Sequence, residues 1–464
     1  MKNIWILTEE RPKDTVVQVI LDRIAIDHGF SIVSEDIKIV PIFKDGRFSF
    51  VYKVEGVSSA DFGNVFLKLA SGNSSFVDFL VFIQENEPVQ TDKPLYAIEE
   101  TKTDDSESRN TGVYQRCSKF VYVEFFYPGI TKIMLYNLSV PQKEEPTETN
   151  IFGMRMLKTM GVEVLGKVYE SEFEAFSSLE ELVSTKNAMR LPPAGNVAIR
   201  MEVLPSQINV SGRLFKADGI GHDPNIGALT AISLCIRKFE KTKDIVITKH
   251  GLEQRHVTNA NNKFVQIAKR LNIKLDGLSL PEVIPHEAYW HYEDSQEKTA
   301  TILLHVMLVA YSNAEVIYSN HGGTERSYFL HKKDGPIAIE KYQEGMREAY
   351  KLGDKELIIH IPDLIIYDPA RLEIVNVEGK KYSTRKAGIE DLNNYGYIEE
   401  KLIIPSHQPK TIIRTVAIFG SKETTIKEKE ISFLLNDNGM IVLSSDAPAI
   451  FKEVVTTALS TQNV

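Results

Sequence analysis

Asp363, Glu378 and Lys380 are the residues of this chain best arranged to do chemistry. They stand in the stretch 361–381, IPDLIIYDPARLEIVNVEGKK. An apolar, β-branched run at 357–367 leads to the turn pair Asp368-Pro369, and a second apolar run follows at 372–377. That pattern predicts a β-hairpin. Its first strand carries Asp363 and its second ends in Glu378-Gly379-Lys380, so closing the hairpin gathers two carboxylates and one ammonium at one end. Two convergent acids suit a hard cation such as Mg²⁺. A lysine beside them can position a water or offset charge developing on a phosphate.

The elements around the hairpin must hold it in place. Residues 341–353 read as an amphipathic helix with Tyr342, Met346, Ala349 and Tyr350 on one side. Residues 387–403 carry Ile389, Leu392, Tyr395, Ile398 and Leu402 at helical spacing, and 411–419 (TIIRTVAIF) reads as a strand. The pattern Pro362-Asp363 … Glu378-x-Lys380 resembles the signature of the PD-(D/E)xK nucleases. Helix, hairpin, helix, strand is the core order of that family.

A second set of the same type lies earlier. The apolar run 76–83 (FVDFLVFI) contains Asp78, and the run 95–98 leads into Glu99-Glu100-Thr101-Lys102. Asp78, Glu100 and Lys102 form another D…ExK set with a longer hairpin loop. Asp78 has no proline before it, and Glu99 competes with Glu100 for the ligand role. Residues 110–126 predict a helix with Val113, Cys117, Phe120, Val121 and Phe125 on one face and Arg116 and Lys119 on the other, and 131–138 predicts a strand. The polar segment 103–116 supplies Ser106, Ser108 and Asn110 for capping and Arg109 and Arg116 for phosphate. Ser383, Thr384, Arg385 and Lys386 follow the second set in a similar way.

Two D…ExK hairpins in one chain resemble a type II restriction endonuclease with two PD-(D/E)xK domains. The resemblance covers roughly 60–140 and 336–420. It implies a sequence-specific, Mg²⁺-dependent nuclease on double-stranded DNA that leaves 5′-phosphate and 3′-hydroxyl ends. Asp78 with Glu100 and Asp363 with Glu378 would hold the metal, and Lys102 and Lys380 would assist the attacking water. One site per strand implies an asymmetric target read by a monomer, and a cognate DNA methyltransferase in the same system. In one alternative only Asp363, Glu378 and Lys380 are live and the first set is a DNA-binding scaffold. A repair or junction nuclease and a non-enzymatic DNA-binding protein are the others.

The rest of the chain sets the frame. Its 464 residues suit two or three domains. The expected fold is mixed α/β (α+β): a nuclease-like domain at 1–190, a middle α/β region at 191–285 that reads DNA, and a second nuclease-like domain at 286–464. Net charge is −9, yet 237–274 holds ten Lys/Arg against three acids, and distribution matters more than sum. Arg255, Asn259, Lys263, Lys269 and Arg270 there, with Arg109, Arg116, Lys119, Arg385 and Lys386, are the expected DNA contacts, since arginine suits guanine and asparagine suits adenine.

Other chemistries fit poorly. His222, His250 and His256 match no zinc spacing. The loop 320–326 (NHGGTER) lacks a phosphate-loop lysine, so a nucleotide cofactor is not expected. Cys117 and Cys235 read as buried free thiols in a reducing compartment. No apolar run nears the roughly 20 residues that span a bilayer, and the acid-bearing start is unlike a secretory signal. The expected location is the cytoplasm.

Overall fold

The computed structural model describes residues 1–72, 76–100, 112–135, 148–165, 173–191, 198–213, 215–216, 219–220, 223–248, 252–283, 287–292, 297–319, 329–332, 335–338 and 360–461. Lys102, Arg109, His222, His250, the expected helix 341–353 and the loop 320–326 lie outside them. The chain folds as mixed α/β, with several sheets flanked by helices. It divides into two compact units. One contains 1–71, 83–87 and 292–464, and the other contains 72–82 and 88–291.

The first unit opens with β1 (Asn3–Thr8), α1 (Asp14–His28), β2 (Ile32–Lys44), β3 (Arg47–Ser59) and β4 (Val65–Ser71). Helix α1 buries Val16, Val17, Ile20, Leu21 and Ile24 at the spacing expected of an amphipathic helix. Gly29 ends it in the left-handed region (φ 66°), where glycine carries no Cβ penalty.

The other unit follows with most of β5 (Phe79–Gln84), then β6 (Tyr96–Glu100), α2 (Gly112–Phe126), β7 (Thr131–Leu135), α3 (Glu148–Thr159) and β8 (Val162–Leu165). Helix α4 (Leu179–Ala188) begins at Ser178, whose side chain accepts from the Glu181 N–H. Strands β9 (Arg200–Val203) and β10 (Gln207–Ser211), helix α5 (Asp223–Phe239), strand β11 (Asp244–Ile247), helix α6 (Lys263–Arg270) and strand β12 (Ile273–Leu275) complete this unit. They build a four-stranded sheet of order β12-β11-β10-β9.

The chain then returns to the first unit with α7 (Lys298–Tyr311), β13 (Glu315–Ser319), β14 (Leu364–Asp368), β15 (Glu373–Lys381), α8 (Arg385–Asp391), β16 (Thr411–Phe419), β17 (Ile431–Leu435), β18 (Ile441–Leu443) and α9 (Ala449–Thr461). Strands β13 to β18 form one sheet in that order. The helix expected over 387–403 is instead a series of short helical turns from Arg385 to His407, including a π segment at Glu399–Ile403. Asn393, Asn394 and Gly396 are poor helix formers, and Pro405 cannot donate to the turn before it.

The two units share a connection pattern. β5 pairs antiparallel with β6, which pairs parallel with β7, which pairs parallel with β8. Likewise β14 pairs antiparallel with β15, which pairs parallel with β16, which pairs parallel with β17. A helical crossover joins the second strand to the third in each case, as parallel neighbours require.

Candidate active site

The hairpin of β14 and β15 carries the cleaner site. Its turn is locked by Asp368, whose carboxylate accepts from the Ala370 N–H at 2.9 Å and pairs with Arg371 at 2.6 Å. That fixes the register at Leu364↔Val377, so the next opposed positions are Asp363 and Glu378. The Gly379 N–H donates to Asp363 Oδ2 at 2.8 Å. A Cβ at position 379 would lie 3.2 Å from that oxygen and 2.9 Å from Thr301 Cγ2 on α7, so glycine gives the carboxyl its room.

Alternation along β15 places Asn376, Glu378 and Lys380 on one face, the face covered by the helical turns 385–407. Lys380 Nζ lies 2.6 Å from Glu378 Oε1 and 3.2 Å from Asp391 Oδ2. The lysine stem passes over Gly388, where a Cβ would meet Lys380 Cγ at 2.6 Å. Tyr395, fully buried, donates its hydroxyl to Glu378 Oε2. Below the site, the Asn376 amide donates to Glu399 Oε1 at 2.7 Å, and Arg414 grips both oxygens of Glu399 at 2.8 and 2.5 Å.

Electrostatics follow from this packing. Burial, then the neighbouring Glu378 carboxyl, pushes Asp363 up to about 8. Burial also raises Glu378 against the opposing pull of Lys380 and Tyr395. For Lys380, burial works against the ammonium, but Glu378, Asp363 and Asp391 together outweigh it and its pKa is raised. The lysine is therefore a cation and hydrogen-bond donor across the physiological range, unsuited to act as a base.

The first hairpin has the same register with different occupants. Phe79 faces Ile98, so the next opposed positions are Asp78 and Glu99. The Asp78 N–H donates to Glu99 Oε2 at 3.1 Å, and the Glu100 N–H donates to Asp78 Oδ2 at 2.6 Å. The Glu100 amide thus does what the Gly379 amide does in the other hairpin, and Glu99 stands where Glu378 stands. The Glu100 side chain, buried, leaves the strand on the opposite face. Lys119 from α2 reaches Glu99 Oε1 at 2.8 Å and Asp78 Oδ1 at 3.8 Å, and Arg116 approaches Glu99 at 3.6 Å. Glu99 is only 2% exposed. Burial, then Asp78, pushes it up to about 7, with Lys119 and Arg116 pulling the other way. Lys102 lies outside the described residues.

Several expected DNA contacts have structural work. Arg270 lies over the rings of Phe125 and Phe126 at 5.2 and 4.9 Å. Arg385 stacks on Tyr382 at 4.1 Å and pairs with Glu428 at 2.8 Å. Asn259 accepts from the Asn261 N–H within its own turn at 3.0 Å, and Asn262 caps α6. Arg255 is 74% exposed beside an exposed Glu253, Lys269 reaches the exposed Glu282 at 3.3 Å, and Lys386 is exposed. Arg237, within the basic run, donates to the carbonyls of Leu271 and Lys243 at 3.0 and 2.6 Å and ties α5 to its surroundings. Both cysteines are buried and free.

Among the described residues, no group of three or more His, Cys, Asp or Glu side chains is arranged to hold a metal. The Asp363–Glu378 pair offers oxygen donors only, which suits Mg²⁺, an ion usually held by one or two carboxylates with water and phosphate completing its shell. No helix among the described residues is long and apolar enough to cross a membrane. No family model, curated protein or solved structure matches this chain.

Proposed function

We propose that the protein is a Mg²⁺-dependent endonuclease acting on double-stranded DNA, with Asp363, Glu378 and Lys380 at its principal active site. The observation that carries this is the meeting of two burial-perturbed carboxyls and a lysine at one end of a hairpin, on a strand covered by a helical crossover. Perturbed acids gathered with a charge partner are typical of sites that work rather than sites that merely hold a fold. The same acid pair recurs at the end of a second hairpin with the same strand connections.

Asp363 and Glu378 would hold the ion. When bound it would polarise the scissile phosphate and make a coordinated water more acidic. Tyr395 orients Glu378 by holding one oxygen, leaving the other toward Lys380. Lys380, kept cationic, donates to an incoming water or to a phosphate oxygen and offsets the charge that builds there. A sequence-specific restriction enzyme of type II, cutting an asymmetric target with one site per strand and accompanied by a methyltransferase, is the form that two acid pairs suggest.

The test is incubation of supercoiled plasmids with the full chain in Mg²⁺, followed by sequencing of the ends. Discrete ends that depend on Mg²⁺ and vanish in Glu378→Gln are expected. Intact plasmid with wild-type protein across several unrelated sequences would sink the assignment.

A further inference from the structure

The two acid pairs are built alike, but their cations come from different elements. In the second hairpin Lys380 is on the same strand as Glu378, two residues on, and reaches its carboxylate at 2.6 Å. In the first, the residue two beyond Glu99 is Thr101, which has no charge to offer. The place beside Glu99 is taken instead by Lys119, which approaches the carboxylate at 2.8 Å from the crossover helix α2.

We infer that the first hairpin carries a second active site formed by Asp78, Glu99 and Lys119, with the helix-borne lysine in the role that Lys380 plays on its strand. This rests on the nuclease reading above and deepens it. Register equates Asp78 with Asp363 and Glu99 with Glu378, because each pair lies one step beyond the last strand pair of its hairpin, Phe79↔Ile98 and Leu364↔Val377. The amide one residue after the glutamate donates to the aspartate in both, at 2.6 Å from Glu100 and 2.8 Å from Gly379. The acid expected from sequence, Glu100, turns its side chain to the other face of the strand and so cannot pair with Asp78 across it.

Lys119 also touches both acids, at 2.8 and 3.8 Å. An ordinary helix–strand ion pair needs only one. It holds its position because Val113, Cys117, Phe120 and Val121 bury the far side of α2, so the helix has one way to lie and presents Arg116 and Lys119, three residues apart, to Glu99. Arg116 stands at 3.6 Å from Glu99 and gives the site a second cation.

Two measurements on the full chain test this. The first counts bound Mn²⁺ by calorimetry with no DNA present, so it is independent of cleavage. Glu99→Gln should lose one bound ion relative to wild type. Lys119→Met should keep that ion and bind it several-fold tighter, since the cation that competes for the acids is gone. A Glu99→Gln protein that binds as many ions as wild type overturns the inference, as does weaker binding in Lys119→Met. The second follows a plasmid that wild type linearises in Mg²⁺. Lys119→Met should slow one strand's cut by about 100-fold and leave a nicked circle, opened on the same strand as in Glu99→Gln. Double-strand cutting that persists in Lys119→Met but is lost in Lys102→Met would assign the role to Lys102 and end the proposal. Should wild type cut no plasmid, the nuclease reading fails by itself, and the Mn²⁺ count still decides whether Asp78 and Glu99 form a site.

Discussion

Replacing Asp363 with asparagine should make the metal-free protein more stable while abolishing cleavage. Asparagine keeps an oxygen for the Gly379 N–H, which sits 2.8 Å away, and removes the carboxyl that burial and Glu378 push up to about 8. In an unfolded chain that carboxyl ionises near pH 4. Between those values the folded form holds a proton that the unfolded form has released, so stability falls as pH rises. The favourable contribution is complete below about pH 4 and gone above about pH 8. A displacement of that size would be worth on the order of 5 kcal/mol if fully realised. The carboxyl is only partly buried and its ionisation is tied to that of Glu378, so about 1–3 kcal/mol is the expected gain near pH 8. For a unit of this size that raises Tm by roughly 3–10 °C. The assay is calorimetric unfolding in a chelator at pH 5, 6.5 and 8, with a plasmid assay in Mg²⁺ beside it. The gain should grow with pH while cutting is lost at every pH. A variant that melts lower than wild type at pH 8, or one whose gain is the same at pH 5, would refute the reasoning.

Tyr395→Phe removes the hydroxyl that Glu378 accepts from; a hydrogen bond to a charged group is worth about 1.5–3 kcal/mol, so the acid limb of cleavage at fixed Mg²⁺ should move up by roughly one to two pH units, and an unmoved limb would show that the tyrosine has no hold on the site. Arg414→Met strands the buried Glu399 carboxylate and should cost about 2–3 kcal/mol in urea unfolding, less than a fully buried pair because Arg414 is partly exposed. Adding Glu399→Gln should recover most of that loss, and a double variant as weak as the single would count against the network. Lys269→Ala, which removes a side chain paired with the exposed Glu282, should lower the slope of log affinity for DNA against log salt by about 0.9 if it meets a phosphate; identical slopes would make it a solvated side chain.

The second hairpin was legible because its information is local. The apolar runs, the Asp368-Pro369 turn and the ends of β15 and β16 follow from residues a few positions apart, and β16 matches the expected strand residue for residue. The first hairpin was harder. Its strands were readable, but choosing between Glu99 and Glu100 needs the register, and a one-residue difference sends a side chain to the opposite face. The basic middle run shows the same dependence on distant partners. Arg237 and Arg270 read as surface cations, but their partners are carbonyls and rings from other segments.

Lys119 marks where a linear motif stops being a guide. The pairing of two carboxyls is a consequence of strand register, which fixes the aspartate and the glutamate across the hairpin end. The cation answers a different requirement. A glutamate buried beneath a crossover helix needs a positive partner or it takes up a proton, and any element covering that face can supply one. In the second hairpin the covering turns have Gly388 under the lysine stem, where a Cβ would collide with Lys380, so the strand's own lysine fits beneath them. In the first the helix itself projects Lys119 and Arg116 onto the glutamate, and the strand need not carry a lysine at all. A D…ExK pattern encodes only the first solution. The second is encoded as an acid at a strand end together with a cation on the polar face of the next amphipathic helix, and a search for sites of this kind in sequence has to pair those two signals.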